Sequence, residues 1–251
     1  YQEIRMQKDK IASYRGFDTY TKTDHHTYVK ENFKKLGDLI EKKIKANLLP
    51  EKATVLDVGC ATGALINYLS ERFTGFEFEG IDVSEELINI AIQQVPDAKF
   101  YVGGVSELSS LHEKPFDLVL CIGVIGIFDE DEAKDAIYKM IDCAKQSGII
   151  YIFHQFNEID IDVMVKHRRV EPGNKWDGWG AGWNIYSYRT IGEWLGDRVR
   201  ELKFIDFNMP FPLEKQENPV RTWTIEMGDG SLRLTNGLKL LVDLKFLEII
   251  V

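Results

Sequence analysis

The sequence of 251 residues contains little cysteine and no long apolar run. Its three cysteines are an odd number, which favours reduced thiols in a cytoplasmic protein, and no C-x-x-C pair indicates a zinc site. No apolar segment approaches the roughly 20 residues that a membrane-spanning helix needs. The given sequence also lacks a basic segment followed by an apolar one at its start. We therefore predict a cytoplasmic protein that has no membrane partner.

An excess of basic residues is also absent. Lysine and arginine total 31 against 40 aspartate and glutamate residues, which gives a formal net charge of −9. A chain this acidic is repelled by phosphate backbones, so we predict no nucleic-acid partner. With 44% hydrophobic residues, the chain can bury one substantial core and is expected to form one main domain. The composition indicates no particular oligomeric state.

Short apolar runs alternate with helical patterns from residue 54 onward. This alternation is typical of an α/β fold, and it predicts a doubly wound, mostly parallel sheet of seven strands whose last strand is antiparallel. Pairing the last strand with the sixth would close the sheet. The seven predicted strands cover residues 54–58, 76–81, 100–102, 116–121, 149–153, 202–207 and 246–251.

The chain divides into a first segment and a main domain. Residues 1–48 are predicted to form an N-terminal lid and a helical cap, because apolar residues recur at helical spacing from Val29 to Ile44. Residues 49–251 would form a Rossmann-like cofactor-binding domain. Two insertions, at about 156–187 and 213–243, are expected over the active-site edge, and the second contains a hairpin around Gly228-Asp229-Gly230.

The most informative stretch is Asp57-Val58-Gly59-Cys60-Ala61-Thr62-Gly63, which follows the first predicted strand. Its glycines allow a close approach of the backbone to a ligand, and a helix begins beyond them. The spacing fits neither G-x-G-x-x-G nor a phosphate-binding loop ending in Gly-Lys-Ser/Thr. Because Asp57 would repel a phosphate, the turn is expected to bind a ligand that carries positive charge.

This turn resembles motif I of the class I S-adenosylmethionine-dependent methyltransferases, and the resemblance extends from about residue 55 to residue 154. It implies a Rossmann-like fold with S-adenosyl-L-methionine as cofactor and S-adenosyl-L-homocysteine as product. Asp82, at the end of the second strand, matches the acidic residue that binds the ribose hydroxyls. Residues 116–121 are similar to motif IV. The implied cofactor-binding residues in these motifs are Asp57, Gly59, Cys60, Ala61, Gly63, Asp82, Val83, Cys121 and Ile122.

Two positions depart from that family. Gly104 follows the third strand, where many members have an aspartate that binds the adenine amino group. Adenine recognition would therefore fall to the backbone N–H of Val105 and the hydroxyl of Ser106. Residues 124–128, after the fourth strand, contain no histidine, although many relatives that act on small molecules have one there. This absence excludes a general base at that position.

His154 follows the fifth predicted strand, at the sheet edge where an acceptor would lie. A neutral imidazole there would accept a hydroxyl proton during methyl transfer, and a buried structural histidine is the alternative. Asp160 and Asp162 provide only half of a metal site, so no metal is expected. Two residues of the first segment are predicted to reach the cofactor carboxylate, namely Tyr14 and Arg15. The predicted substrate-binding residues are His25, His26, Trp179, Trp183 and Tyr186.

These features predict a methyltransferase that acts on a small polar metabolite or sugar, by O-methylation, in polysaccharide or natural-product biosynthesis. N-methylation of a small molecule and a catalytically inactive partner subunit of the same fold are the alternatives. Aminopropyl transfer is disfavoured because the fourth strand ends in Cys121-Ile122-Gly123, without the acidic residues that an incoming amine needs.

Overall fold

The computed structural model describes residues 26–108, 115–167, 180–181, 184–214, 223–235, 241–242 and 244–251. The strands of its main sheet are β1 Thr54–Val58, β2 Glu77–Asp82, β3 Lys99–Val102, β4 Phe116–Ile122, β5 Ala144–Asn157, β8 Tyr186–Ser187, β9 Glu201–Asp206 and β13 Leu244–Ile250. Their order across the sheet is β3-β2-β1-β4-β5-β13-β9, and the short strand β8 pairs with β5 beside this path.

Within the described residues, five α-helices flank the sheet, and three of them begin with side-chain caps. Ser84, Asp129 and Ser187 each accept a hydrogen bond from a backbone N–H of the first turn. Such caps satisfy N–H groups that have no partner inside the helix. The helices are α1 Glu31–Lys45, α2 Ala64–Arg72, α3 Glu85–Gln94, α4 Glu130–Cys143 and α5 Tyr188–Leu195.

The core lies on both faces of the sheet. Helices α1, α2 and α3 cover one face, where buried side chains such as Leu36, Ile66 and Ile88 meet β1 and β4. Helices α4 and α5 cover the other face through residues such as Ile137 and Ile191. The central strands are therefore buried on both sides, which explains why they appear in the sequence as nearly continuous apolar runs.

The predicted seven-stranded, mostly parallel sheet is confirmed. The last strand pairs antiparallel with β9, as predicted, and it also pairs antiparallel with β5. It therefore lies between the two. Strand β5 is much longer than its prediction of 149–153, because its first residues pair with β4 beyond a bulge and its last residues pair with β8 and β13. Consequently His154 lies inside a strand rather than beyond its end.

The insertions form small β elements. The predicted hairpin is confirmed as β10 Trp223–Glu226 and β11 Leu232–Thr235, and β12 Leu241–Val242 extends it. In the first insertion, β6 Lys166–His167 pairs with β7 Gly180–Ala181. The domain boundary at residue 48 stays a prediction. None of the helices in the described part of the chain is long and apolar enough to cross a membrane.

Candidate active site

The glycine turn after β1 is held in a left-handed conformation at three positions. Gly59, Ala61 and Gly63 have φ angles of 78°, 48° and 75°. The backbone N–H groups of Gly59 and Cys60 both donate to the Ile81 carbonyl, at 2.8 and 3.1 Å. These bonds fix the turn against the neighbouring strand β2. The turn is thus a rigid surface at the carboxyl edge of the sheet, where ligands of open α/β folds bind.

The structure corrects the expected reason for the glycines. A Cβ atom at Gly59 would lie 2.3 Å from Val124 Cγ2, and one at Gly63 would lie 3.1 Å from the Phe100 ring and 3.2 Å from the Ala91 Cβ. Both glycines therefore face neighbouring protein rather than an approaching ligand. Their positive φ angles add a second reason, since residues with side chains rarely adopt that conformation.

Asp82 joins the end of β2 to the glycine turn. Its Oδ2 accepts a 3.0 Å hydrogen bond from the Ala61 N–H, and its Oδ1 accepts a 2.9 Å bond from the Ser84 N–H. Burial raises the pKa of Asp82, and these two hydrogen bonds oppose that rise. Each oxygen keeps a further lone pair, so the fixed carboxylate can also accept bonds from two ligand hydroxyls.

Asp57 is a buried carboxyl group with only 2% of its surface exposed, and it lies on the pocket wall. Burial, reinforced by the negative charge of Asp82, raises the pKa of Asp57 to about 7. No group in the part of the chain that the structure describes donates a hydrogen bond to this carboxylate. A buried carboxylate without a partner is costly, and a ligand cation would remove that cost.

The pocket lies between the glycine turn, the end of β4 and the start of α1. Its polar wall includes Asp57, and its apolar wall includes Phe33, Ile122 and Phe153. The complete lining consists of Lys30, Asn32, Phe33, Asp57, Gly59, Cys60, Ala61, Thr62, Ala64, Leu65, Ile122, Gly123 and Phe153. The structure therefore brings together Asp57, three predicted positions of the turn and Ile122. The other predicted cofactor-binding residues in the described part of the chain do not line this pocket, namely Gly63, Asp82, Val83, Gly104, Val105, Ser106 and Cys121.

The family comparison matches this region. A family model described as a methyltransferase domain matches residues 55–148, which contain the glycine turn, Asp82 and the end of β4. Residues 55–148 are therefore similar to a methyltransferase domain. The predicted resemblance to the class I S-adenosylmethionine-dependent methyltransferases is confirmed.

Curated relatives are similar to part of this chain. The provisionally assigned methyltransferase YqeM of Bacillus subtilis (strain 168) is 32% identical over 99 residues, which is 39% of this chain and 31% of YqeM. The dTDP-4-amino-2,3,4,6-tetradeoxy-D-glucose N,N-dimethyltransferase of Saccharopolyspora spinosa is 30% identical over 74 residues, which is 30% of this chain and 28% of that enzyme. The chain thus spans about a third of the length of these relatives.

Solved structures share the fold of most of the chain. An S-adenosylmethionine-dependent methyltransferase from Clostridium acetobutylicum ATCC 824 has a TM-score of 0.55 at 15% identity, over 94% of this chain and 98% of that one. Magnesium protoporphyrin IX methyltransferase from Synechocystis PCC 6803, with bound S-adenosylmethionine, has a TM-score of 0.52 at 15% identity, over 88% and 78%. At these identities the two neighbours show that the chain shares their fold.

The start of α1 contributes three pocket residues that the sequence does not single out. Lys30, Asn32 and Phe33 line the pocket from the start of this helix, and the Lys30 ammonium lies 5.2 Å from the centre of the Phe33 ring. The apolar periodicity of the helix indicates that Phe33 is buried, but it does not indicate which end of the sheet the helix start approaches. That placement depends on how α1 packs.

His26 contacts the glycine turn. Its Nε2 lies 3.0 Å from the backbone carbonyl oxygen of Thr62, so the ring N–H donates to that oxygen when the proton is on Nε2. The start of the described chain, before α1, is thereby attached to the glycine turn. The predicted substrate contact of His26 stays a prediction. Five other predicted residues lie outside the described part of the chain, namely Tyr14, Arg15, His25, Trp179 and Trp183.

A carboxylate does approach the turn after β3, but it comes from a residue that the sequence analysis did not consider. Glu107 Oε2 accepts hydrogen bonds from the Gly104 N–H at 2.7 Å and from the Ser106 hydroxyl at 2.9 Å. The Ser106 hydroxyl is therefore already used inside the turn. Exposed Val83 lies beside this turn, since a Cβ at Gly104 would be 3.3 Å from Val83 Cγ1. Adenine recognition by these residues stays a prediction.

The position of His154 contradicts its expected role as the acceptor-facing base. Its side chain is 6% exposed, and its Nε2 lies 2.5 Å from the Asn184 carbonyl oxygen. The ring packs on Gly126, where an added Cβ would meet Cε1 at 2.1 Å. Successive residues of a strand point to opposite faces, so Phe153 lines the pocket and His154 does not. Burial lowers the pKa of His154 to about 4, which fits the structural alternative.

Tyr186 is also a structural residue rather than a wall of the pocket. Its side chain is 1% exposed, its ring centre lies 5.0 Å from that of Trp194, and its hydroxyl lies 3.4 Å from the carbonyl oxygens of Phe128 and Asp129. Burial raises the pKa of Tyr186 to about 12. The predicted substrate contact of Tyr186 is therefore wrong, because β8 places this side chain in the core.

The two carboxylates considered as half of a metal site hold the insertion together. Asp160 pairs with Arg189, and Asp162 accepts hydrogen bonds from the Ser187 N–H and the Thr190 hydroxyl. Among the residues that the structure describes, no group of three or more histidine, cysteine, aspartate or glutamate side chains could hold a metal ion. Cys121 is buried in the core, where it acts as apolar filling.

Proposed function

We propose that this chain transfers the methyl group of S-adenosylmethionine to a small molecule. The observation that carries this proposal is the buried Asp57 carboxyl group beside a rigid glycine turn, with the fixed Asp82 carboxylate at the end of the next strand. When bound, the cofactor supplies a methyl group that is activated by a positively charged sulfur. The negative charge of these two carboxylates is suited to a ligand that carries positive charge.

The residues of the site have separate tasks in this proposal. Asp57 binds the α-ammonium group of the cofactor, and Asp82 accepts hydrogen bonds from its ribose hydroxyls. The glycine turn, bonded to the Ile81 carbonyl, provides a surface that does not rearrange when the ligand binds. Catalysis then depends mainly on alignment of the acceptor with the methyl group, because an in-line displacement needs little other chemistry from the protein.

We propose that the acceptor atom is an amine nitrogen. A hydroxyl acceptor needs a positioned base, whereas a neutral amine already carries the lone pair that attacks the methyl carbon. Among the described residues that line the pocket, only Lys30, Asp57 and Cys60 titrate, and burial raises the pKa of the Cys60 thiol far from neutrality. Lone-pair attack forms the N–C bond as the C–S bond breaks, and the new ammonium group then releases a proton to water.

The acceptor class that we favour is an aminodeoxy sugar carried on a nucleotide. The pocket has an apolar wall with Phe33, Ile122 and Phe153, and such a wall suits the C–H faces of a sugar that has lost hydroxyl groups. The relative from Saccharopolyspora spinosa is an N,N-dimethyltransferase of such an amino sugar, which supports the same class.

A matched pair of acceptors tests the proposal. The purified protein is incubated with S-adenosylmethionine and either a nucleotide-linked 4-amino-4,6-dideoxyhexose or the same sugar with a 4-hydroxyl group, and products are measured by mass spectrometry. We expect a mass gain of one methyl group on the amine only, with a rate that rises with pH until the amine is neutral. Methylation of the hydroxyl sugar at a similar rate would contradict the nitrogen assignment. Methylation of neither would contradict the acceptor class.

A further inference from the structure

Asn184 is a fully buried polar residue near the end of the first insertion, and its four hydrogen-bonding groups all have partners. Its backbone N–H donates to the Gly126 carbonyl oxygen at 3.1 Å, and its backbone carbonyl oxygen lies 2.5 Å from His154 Nε2. Its side-chain Nδ2 donates to the Phe128 carbonyl oxygen at 2.6 Å, and its Oδ1 accepts a 2.9 Å bond from the Val165 N–H. An apolar side chain here would leave both of these buried partners unsatisfied.

The Asn184 side chain joins two separate segments of the chain. Its Nδ2 binds the β4–α4 loop, which we define as residues 123–128, and its Oδ1 binds the first insertion at Val165. The insertion is itself paired at this point, because Val163 and Ile185 exchange two backbone hydrogen bonds of 2.8 Å. The amide of Asn184 therefore connects a paired part of the insertion to the loop.

The β4–α4 loop forms part of the pocket wall. Gly123 lines the pocket, and its N–H donates to the Phe153 carbonyl oxygen at 2.9 Å. Val124 packs against the glycine turn, since a Cβ at Gly59 would lie 2.3 Å from Val124 Cγ2. The first residues of the loop thus contact the ligand site, while Asn184 holds its last residues. A displacement of the loop would change the pocket wall and the support of the turn together.

We propose that Asn184 is a positioning residue, which fixes the β4–α4 loop in its ligand-binding form and couples the pocket wall to the first insertion. This inference rests on the proposed function. Asn184 does not itself line the pocket, so it acts through the loop rather than by contact with the cofactor. Such support matters for methyl transfer because a misplacement of about 1 Å can lower a rate by about 100-fold.

A pair of variants separates this role from general stability. Asn184→Leu has a similar shape but removes both side-chain hydrogen bonds. Thr54→Val is the matched control, because it removes a hydroxyl that donates to Asp117 Oδ2 at 2.9 Å. Thr54 begins β1 and therefore lies at the sheet edge opposite to the glycine turn. Calorimetric titration with S-adenosylhomocysteine measures affinity, and thermal unfolding measures stability.

We expect both variants to lower the unfolding temperature, but Asn184→Leu alone to weaken S-adenosylhomocysteine binding, by about 3- to 30-fold. Thr54→Val should change the affinity by less than about twofold. Hydrogen exchange followed by mass spectrometry should show faster exchange of residues 123–128 in ligand-free Asn184→Leu than in the unmodified protein. Equal affinities of the two variants would overturn the inference.

Asn184→Asp tests the hydrogen-bond pattern itself. A protonated carboxyl group can donate to the Phe128 carbonyl and accept from the Val165 N–H, as the amide does, whereas a carboxylate cannot donate. The affinity of the variant relative to the unmodified protein should therefore fall between about pH 5.5 and pH 8. Comparison at equal pH removes the contribution of Asp57. Burial lowers the pKa of His154 to about 4 and raises that of Tyr186 to about 12, so neither neighbour ionises in this range. A relative affinity that does not depend on pH would contradict the proposed pattern.

The unmodified protein provides a test that does not depend on the folding of a variant. Binding of S-adenosylhomocysteine should slow hydrogen exchange in residues 123–128 and also in residues 163–165, which do not line the pocket. Slower exchange confined to the pocket lining would overturn the coupling. If the unmodified protein binds no S-adenosylhomocysteine, the proposed function fails instead, whereas exchange of the ligand-free variants still shows whether Asn184 fixes the loop.

Discussion

The Asp82 carboxylate accepts a 3.0 Å hydrogen bond from the Ala61 backbone N–H, and this bond joins the end of β2 to the glycine turn after β1. Two positions that are 21 residues apart in the sequence thus form one rigid unit. Any substitution of Asp82 therefore acts on the ligand and on the shape of the turn together.

Asp82→Ala should weaken S-adenosylhomocysteine binding strongly. Each lost charge-assisted hydrogen bond to the ribose is worth about 1.5–3 kcal/mol, and the loss of the Ala61 contact loosens the turn as well. Calorimetric titration measures the affinity. Exposed Asp97, which follows α3, is the control, because Asp97→Ala should leave the affinity unchanged. Equal effects at both positions would indicate general destabilisation.

Cofactor affinity should increase with pH near neutrality. Asp57 has a pKa of about 7, so below that value much of the protein carries a neutral carboxyl group that cannot pair with the ammonium of the ligand. Between about pH 6 and pH 8 the affinity for S-adenosylhomocysteine should rise by about tenfold. Asp57→Asn should remove this dependence and bind weakly at both pH values. A pH-independent affinity of the unmodified protein would show that Asp57 does not bind the ammonium.

The same group should affect stability in the opposite sense. The pKa of Asp57 is raised in the folded protein from an ordinary value of 3.8 to about 7, so the folded state holds a proton that the unfolded state has released. The free energy of unfolding should therefore fall as pH rises from about 4 to about 7, and Asp57→Asn should remove this loss. Urea unfolding of the ligand-free protein at about pH 4 and about pH 7 measures this change in the free energy of unfolding. A variant no more stable than the unmodified protein at pH 8 would contradict this reasoning.

Gly59→Ala should destabilise the fold by about 2–5 kcal/mol. The positive φ of 78° costs about 1–2 kcal/mol with a side chain, and the clash with Val124 adds a packing cost of about 1–3 kcal/mol. Adding Val124→Ala should relieve the clash while leaving the backbone strain. Gly228→Ala is the control, since a Cβ at Gly228 meets nothing within 4 Å and its effect should be within about 0.5 kcal/mol. Urea unfolding measures all of these variants.

His154→Gln should change stability rather than the pH dependence of turnover. Burial lowers the pKa of His154 to about 4 from 6.5, so the unfolded chain binds a proton more readily than the folded protein does. The stability supplied by neutral His154 should be lost as pH falls from about 6.5 towards 4, and the variant should lack this loss. A turnover that drops by about 100-fold in a variant of unchanged stability would restore His154 as a base.

The sequence predicts much of the fold because the central strands are buried on both faces and therefore appear as apolar runs. Asp57 and Asp82 are predictable for a related reason, since each is fixed by its position at the end of such a strand. The side of the sheet on which the His154 side chain lies is not predictable in this way. Pairing with β13 and β8 extends β5 beyond its apolar part, so His154 lies within the strand. The place of Lys30 in the pocket is likewise unpredictable from local pattern, because it depends on how α1 packs against the sheet.

The central claim is that the pocket beside Asp57 binds S-adenosylmethionine, and titration of the unmodified protein with S-adenosylhomocysteine in a calorimeter tests it most directly. The product is the better probe because it cannot react during the measurement. We expect saturable binding of one molecule per chain with a dissociation constant in the micromolar range, weakened strongly by Asp57→Asn. No saturable binding up to about 1 mM, which corresponds to about −4.1 kcal/mol, would contradict the claim.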